Sequence, residues 1–366
     1  MTQKRPLTVT AASLNEKDPI IPHYRDGKST VKIVPKKGKA LDTCATIGKE
    51  FVCCNIKVLK AVSNCPFDCS YCFLQNYLND GTTKVVGDTE ALLAEVDAQL
   101  AKEPQRFFRI GTWELGDSLA LEDHVGQAKV LINEFGKRNN VVLELKTKSD
   151  CVDGILNCTH HHKTVISWSM NTDFIIRTQE HRTASLQQRI AAMSKVVESG
   201  YLIGLHFDPM IIHDGWQDGY TETVAQIFKS IPPTRIAWIS IGSLRFNPEQ
   251  KDKMDANFPR QTLTSAEMVR APDQKIRYVK PLRVEMYRHL YQALCQACNV
   301  DTLSPLAAPL KQRPLLYFCM ERDDIYEKVM GSHPKTIQEL DYLFAYHIYH
   351  RFHLLGMNTP LYDHYQ

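Results

Sequence analysis

The sequence predicts an α/β protein built on an open or partial (β/α) barrel, and three observations carry that prediction. Between residues 51 and 250, short apolar runs with the marks of strands alternate with helical stripes. Successive strand candidates stand about 25–40 residues apart, the length of a strand–helix unit in a parallel sheet. About five or six such units fit the stretch, for which a partial barrel is the economical arrangement, with its chemistry at the strand C-terminal ends.

Composition is that of a soluble globular protein: of 366 residues, 43% are hydrophobic and 23% charged. A net charge of +3 is too mild to imply nucleic-acid binding by itself. Met1 to Thr8 lacks the apolar core of a signal peptide, and no apolar run is long enough to span a bilayer. The odd count of 11 cysteines then favours a reducing, cytoplasmic setting over a disulfide framework, with no membrane partner. Three segments are expected: an irregular N-terminal segment (1–50), the barrel (51–250) and a C-terminal extension packed on it (251–366).

In order, Val31 to Val34 reads as a short strand, followed by the basic run Lys36-Lys37-Gly38-Lys39. Phe51 to Val62 reads as a strand leading into a cysteine loop. Asp88 and Thr89 can cap a helix with Leu92, Leu93, Val96 and Leu100 on its apolar face. Arg106 to Thr112 is the next strand, and Val125, Ala128, Leu131 and Phe135 mark a helix closed by Gly136. Val141 to Leu145 and Thr164 to Trp168 are strands. Leu186, Ile190, Met193 and Val197 form a helix stopped by Gly200. Tyr201 to Phe207, a helix around Val224 to Ile231, and Arg235 to Ile241 complete the series. Glu249 to Gln274 reads as a polar surface excursion and Leu282 to Ala297 as a helix. Leu315 to Cys319 reads as a buried strand, and Ser332-His333-Pro334 opens a last aromatic-rich helix. The stripes are core faces by this reading.

The densest chemistry lies between Asn64 and Gln75, where Cys65, Cys69 and Cys72 fall in a C-x-x-x-C-x-x-C pattern. The last two are expected on one face of a nascent helix, with Pro66 and Asp68 shaping the turn before it. Thiolates are soft anionic ligands suited to iron–sulfur clusters or zinc. Structural zinc normally takes four ligands, so this triplet is one short, whereas a [4Fe–4S] cluster on three thiolates leaves one iron open. Buried cysteines acting as small hydrophobes, or a zinc knuckle with a distant fourth ligand, are the alternatives.

Other candidates stand at strand ends. Glu114, Asp117 and Ser118 follow the strand at 106–112, where helix capping is the competing role of Asp117 or Ser118. Lys148 ends a strand, and Ser169, Asn171 and Thr172 follow another, where turn chemistry competes. His206 and Asp208 permit a second reading, a metal-dependent hydrolase with an activated water, which leaves the cysteine triplet unexplained. His160-His161-His162, the Cys295/Cys298 pair and Cys53-Cys54 read as a solvated loop, helix packing and core.

The cysteine spacing, with Tyr71 just before the last thiol, resembles the cluster motif of radical S-adenosylmethionine (radical SAM) enzymes. More of the chain is similar to the spore photoproduct lyase family of radical SAM proteins: Leu119-Ala-Leu after Asp117-Ser118, Thr147-Lys148, Trp168-Ser-Met-Asn171, Gly200-Tyr-Leu-Ile-Gly204 and Gly215-Trp-Gln-Asp-Gly-Tyr220. The resemblance implies a partial (β/α)6 barrel and a [4Fe–4S] cluster held by Cys65, Cys69 and Cys72. It implies S-adenosylmethionine bound near Tyr71, Phe73, Glu114, Asp117 or Ser118, Lys148 and Ser169, and an external electron donor of flavodoxin or ferredoxin type. Tyr71 is the catalytic candidate, and the cofactor carries the hard chemistry. The implied activity is hydrogen abstraction from a DNA photolesion or modified nucleotide, a DNA-repair lyase reaction, to which Lys36, Lys37, Lys39, Arg245 and Arg277 lend weak support. Two departures stand out: Leu115 occupies the position of the lyase's hydrogen-returning cysteine, and Phe73 that of a tyrosine. A non-catalytic iron–sulfur or zinc protein binding nucleic acid is the rival from another class.

Overall fold

The computed structural model describes residues 7–11, 25–44 and 51–366. Its centre is one eight-stranded sheet. The strands are β1 (Leu41–Thr43), β2 (Lys57–Leu59), β3 (Phe108–Gly111), β4 (Val141–Thr147), β5 (Thr164–Ser169), β6 (Leu202–Met210), β7 (Ile236–Ser243) and β8 (Leu315–Phe318). Spatial order follows chain order. Every neighbouring pair from β2 to β8 is parallel, and β1 alone runs antiparallel, against β2. β5 and β7 are buried at every residue, as expected of parallel strands covered on both faces. This is the mixed α/β, curled half-barrel that the strand spacing predicts.

The helices form where the apolar stripes lie. In α1 (Thr89–Lys102) the Asp88 carboxylate accepts from the Ala91 N–H at 2.9 Å, and Leu92, Leu93 and Val96 are buried. Each such side chain contributes about 1.5–3 kcal/mol when fully buried. α2 (Gln127–Gly136), α3 (Asp173–Gln179), α4 (Leu186–Glu198) and α5 (Trp216–Ser230) follow. Ser185 and Gln188 close a reciprocal capping box at the start of α4.

Several expectations need correcting. Phe51 to Val62 is not one strand: Asn55 takes φ +50°, and the segment splits into Phe51–Val52, β2 and Val62–Ser63. Cys69 and Cys72 do not share a helix, because Asp68–Cys69 is an extended pair laddered against Glu180–His181, and the four-residue helix begins only at Leu74. The polar stretch after 249 holds α6 (Pro248–Asn257) and a hairpin of Met268–Arg270 with Ile276–Tyr278; only Gln250 and Met254 of α6 are buried, too thin a stripe to read. The run at 315–318 is β8 of the barrel sheet itself, reached through α7 (Lys280–Cys298), so the sheet extends beyond residue 250.

The remaining helices are α8 (Asp323–Met330) and α9 (Ile337–Phe352), which starts at the Thr336 cap and not at His333. α9 covers the flank between the sheet's ends. Phe344 packs edge-on against Trp238 and Tyr317, and its ring lies 3.3 Å from the Arg109 guanidinium carbon. Asp341 accepts from Arg106 Nη2 at 2.5 Å and Asn55 Nδ2 at 3.1 Å. Phe51–Val52, just before β2, ladders with Glu321–Arg322, just after β8, and so ties the two ends together. A second, four-stranded sheet joins Thr8–Ala11, Thr30–Val34, Thr83–Val86 and Val62–Ser63. Among the described residues no helix is long and apolar enough to cross a membrane.

Candidate active site at the cysteine loop

Cys65, Cys69 and Cys72 follow β2 at the C-terminal end of the sheet and carry free thiols. The Cys72 N–H donates to the Cys69 carbonyl at 3.2 Å, which closes the turn between the last two. The loop is fixed from three sides: by the segment carrying Arg25 and Lys28, by its own Asn64 and by the end of α3. Lys28, buried, donates its ammonium to the carbonyls of Cys65 (3.0 Å) and Phe67. Arg25 pairs with the buried Asp68 at 2.8 Å and stacks on Phe258. Asn64, at φ +70°, accepts the Cys65 N–H on its own side chain and donates to the Gly81 carbonyl at 2.7 Å.

The third anchor comes from the end of α3. The Ser70 N–H donates to the Gln179 carbonyl at 2.9 Å, and its hydroxyl to Gln179 Oε1 at 2.6 Å. The Tyr71 hydroxyl donates to Glu180, which pairs with Arg189 at 2.6 Å and Lys148 at 3.5 Å. Lys148 also lies over the Tyr71 ring, 5.4 Å from its centroid, and Arg189 Nη1 donates to the Ser169 carbonyl at 2.8 Å. Although burial opposes ionisation, Lys148 and Arg189 hold Glu180 down to about 2. Tyr71, Lys148 and Ser169 thus come together, with Glu180 and Arg189 as a hub the sequence did not reveal.

Burial pushes the Cys65 thiol up to about 12 and the Cys69 thiol well above its ordinary value. Lys28 and Lys148 pull the other way, which is the arrangement that offsets thiolate charge once a metal takes the protons' place. Among the described residues no three His, Cys, Asp or Glu side chains are gathered for one metal ion.

Other candidates are committed elsewhere. Asp117 Oδ1 accepts from the N–H groups of Leu119 and Ala120 and the Thr147 hydroxyl, and Oδ2 from the Lys148 N–H at 2.7 Å. These bonds close a turn and brace the Lys148 backbone; no helix is capped, since the next one begins only at Glu122 and has no side-chain cap. The Ser118 hydroxyl accepts from Thr112 and from the Lys146 N–H. Glu114 is half-buried, its pKa raised by burial against the pull of Lys60, and Phe73 is exposed. Thr172 caps α3, and Asn171 bonds Pro209 and Tyr220.

His206 and Asp208 do not form a ligand pair. His206 donates from Nε2 to Glu144 at 2.7 Å and accepts at Nδ1 from the Ser240 hydroxyl. Glu144 further accepts from Ser167 (2.7 Å), Trp238 (2.9 Å) and Trp113 (3.4 Å), which makes a closed polar knot inside the barrel. Gly204 makes room for it, since a Cβ there would meet Ser167 Oγ at 2.3 Å. Asp208 is forked onto Arg245. Of the basic residues, Arg277 is buried against Asp273, Arg245 is forked onto Asp208, Lys36 pairs with Glu95 and Lys39 with Asp42.

A family model described as "Spore photoproduct lyase" matches residues 15–294. The chain is similar to the spore photoproduct lyase of Bacillus subtilis (strain 168), 26% identical over 78% of this chain and 82% of the relative. The lyase of Clostridium acetobutylicum is 25% identical over 66% of this chain and 69% of its own. Two solved structures share the fold at 22% identity, covering 75% of this chain and 81% of theirs. One is a spore photoproduct lyase variant with bound AdoMet and dinucleoside spore photoproduct, at a TM-score of 0.68. The other is a spore photoproduct lyase complexed with the same dinucleoside, at 0.67.

Proposed function

The chain belongs to the spore photoproduct lyase family, and on that footing we propose that it is a cytoplasmic radical SAM enzyme abstracting hydrogen from a thymine photolesion or related nucleotide. The observation that carries this reading is the three-thiol loop, clamped at the C-terminal end of the sheet by Lys28, Asp68 and the Tyr71–Glu180–Lys148 network.

Cys65, Cys69 and Cys72 would hold a [4Fe–4S] cluster, and the donor set fits because three thiolates leave one position open to a second molecule. When bound, the cluster supplies an electron to S-adenosylmethionine and so a carbon radical able to take hydrogen from substrate. The protein's part is positional and electrostatic. Lys28 and Lys148 offset the charge of the thiolates. Tyr71, fixed by Glu180, offers a ring face beside Lys148, suited to the adenine. Asp117 sets the Lys148 backbone, and Ser169 is fixed through Arg189. An external flavodoxin- or ferredoxin-type protein would deliver the electron.

The test is anaerobic reconstitution with iron and sulfide, then reduction with dithionite in the presence of S-adenosylmethionine. Formation of 5′-deoxyadenosine that disappears in Cys69→Ala supports the reading. A full cluster with intact S-adenosylmethionine turns it toward a binding protein, and zinc alone in the site sinks it. Adding dinucleoside spore photoproduct asks about substrate: conversion to thymines supports the lesion, and an untouched dinucleoside beside abundant 5′-deoxyadenosine removes it.

A further inference from the structure

Strand alternation sends Glu144 and Lys146 of β4, and Lys148 just past it, to one face of the sheet. Glu144 closes the polar knot inside the barrel, and Lys148 stands beside Tyr71 and Glu180. Lys146 lies between them along the strand and is half-buried. Among the described residues its ammonium forms no ion pair and donates no hydrogen bond. It rests instead over the Trp113 ring, with Nζ 4.1 Å from the centroid.

That placement is built by the loop after β3. A Cβ on Gly111 would meet Trp113 Nε1 at 2.4 Å, so the glycine lets the ring fold back over the strand end. Trp113 Nε1 then donates to Glu144 at 3.4 Å. The same loop is stitched to the Lys146 backbone. The Lys146 N–H donates to the Ser118 hydroxyl at 3.1 Å, and the Ser118 N–H to the Lys146 carbonyl at 3.1 Å. Carboxylates around the mouth are already answered: Asp208 by Arg245, Glu180 by Arg189 and Lys148, Asp117 by N–H groups and Thr147. Burial raises the pKa of Glu114 and so favours its neutral form. Burial, and after it the Lys146 charge, hold His206 below its ordinary value, which keeps that imidazole neutral. Lys146 is thus a fixed positive charge facing the lumen with no protein anion to match it, a place for an anion that arrives with a ligand.

We infer that Lys146 takes a phosphate of the substrate, so that the chain selects a phosphate-linked nucleotide over a bare nucleoside pair; this rests on the nucleotide-substrate reading above. Trp113 and Ser118 are its positioning residues, one under the ammonium and one on the backbone. Thymine rings are neutral, so in such a lesion the phosphodiester carries the negative charge. A compact ammonium with three donors suits a phosphate as a point charge. S-adenosylmethionine brings a sulfonium of the same sign and one carboxylate, and Lys148 beside Tyr71 is the cation on its side of the mouth.

The test has two arms. In the first, the reconstituted full chain is dialysed at low salt against thymidylyl-thymidine, which carries one phosphodiester, and against its neutral methylphosphonate analogue. The unmodified chain should prefer the charged probe by about tenfold. Lys146→Gln should bring that ratio close to one and flatten the slope of log affinity against log salt by about one. Lys146→Arg should keep the preference, and Trp113→Leu should narrow it. Equal affinity of the unmodified chain for the two probes, or an undiminished preference in Lys146→Gln, overturns the assignment. The same proteins are dialysed against S-adenosylmethionine. If Lys146→Gln loses as much there as with the dinucleotide, the ammonium serves the cofactor's carboxylate and the proposal fails. The second arm measures turnover of the spore photoproduct as dinucleotide and as dinucleoside. The dinucleotide should be favoured through KM, and Lys146→Gln should shrink that advantage; an advantage in kcat alone overturns the binding role. If no protein makes 5′-deoxyadenosine, the radical SAM reading falls, and the dialysis ratio decides the phosphate assignment by itself.

Discussion

Glu144 and Glu180 are both buried, both held down to about 2 although burial opposes ionisation, and both ringed by donors. Their partners differ in where they come from. Those of Glu144 are Ser167, His206, Trp238 and Trp113, on or just past neighbouring strands of the barrel, so this carboxylate closes on the sheet's own interior. Those of Glu180 are Tyr71 in the cysteine loop, Lys148 at the end of β4 and Arg189 in α4, so it joins separate elements around the thiols. Buried charge of one kind serves fold in the first place and site in the second. Unfolding midpoint and iron content should separate the two.

The largest effect is expected from Glu144→Ala. It leaves donors from Ser167, His206 and Trp238 buried and unanswered, and loss of one partner from such a network costs about 3–5 kcal/mol. Chemical denaturation should show this, while any folded fraction keeps normal iron per folded chain. Equal loss of iron per folded chain would break the comparison. Acid comes next. Both carboxylates are depressed in the folded state, so their stabilisation is complete above an ordinary pKa of 4.5 and is lost as pH falls towards about 2. At about 1.4 kcal/mol per pH unit, each accounts for roughly 3 kcal/mol over that window. His206 adds to the loss with the same sign: burial keeps its folded pKa below 6.5, so the unfolded chain takes up a proton first. Glu144→Gln and Glu180→Gln should each flatten the stability–pH curve between about 4.5 and 2, and only the second should alter iron retention.

Lys28→Met strips the Cys65 and Phe67 carbonyls of a buried donor, which costs about 1–3 kcal/mol. Its reconstituted iron should fall by more than its denaturation midpoint implies; intact iron would mean that the loop does not need this clamp. The smallest expected change is in Tyr71→Phe, which removes one hydrogen bond to Glu180 for about 1 kcal/mol. It should weaken S-adenosylmethionine binding, followed by equilibrium dialysis, without lowering iron content.

Periodicity carried the fold further than it carried the site. β4 to β7 and α4 announce themselves because each buries a continuous apolar run or stripe. α6 escaped notice because two buried residues in ten leave nothing periodic, and β8 could be seen as a strand but not assigned to the sheet, since no local signal encodes a partner more than 70 residues away. At the site, the cysteine spacing was legible because ligand spacing is local. Glu180, Arg189 and Lys28 were not, since a lone charge looks solvated until the fold buries it. Asp117 shows the converse: a candidate for ligand contact turned out to spend its acceptors on backbone and Thr147.

The tie between Phe51–Val52 and Glu321–Arg322, with α9 covering the flank beside it, also sets a timetable. Contacts spanning some 270 residues close only after residues 315–352 have left the ribosome, and pairings this distant slow folding because a large loop must be ordered first. The cysteine loop is synthesised early, yet its end of the sheet is finished late. Iron delivered during translation would meet a nascent thiol triplet with its far wall missing. Insertion into the completed chain is the order this topology favours, and a release assay on stalled ribosomes, scoring iron uptake before and after residue 352 emerges, would read it directly.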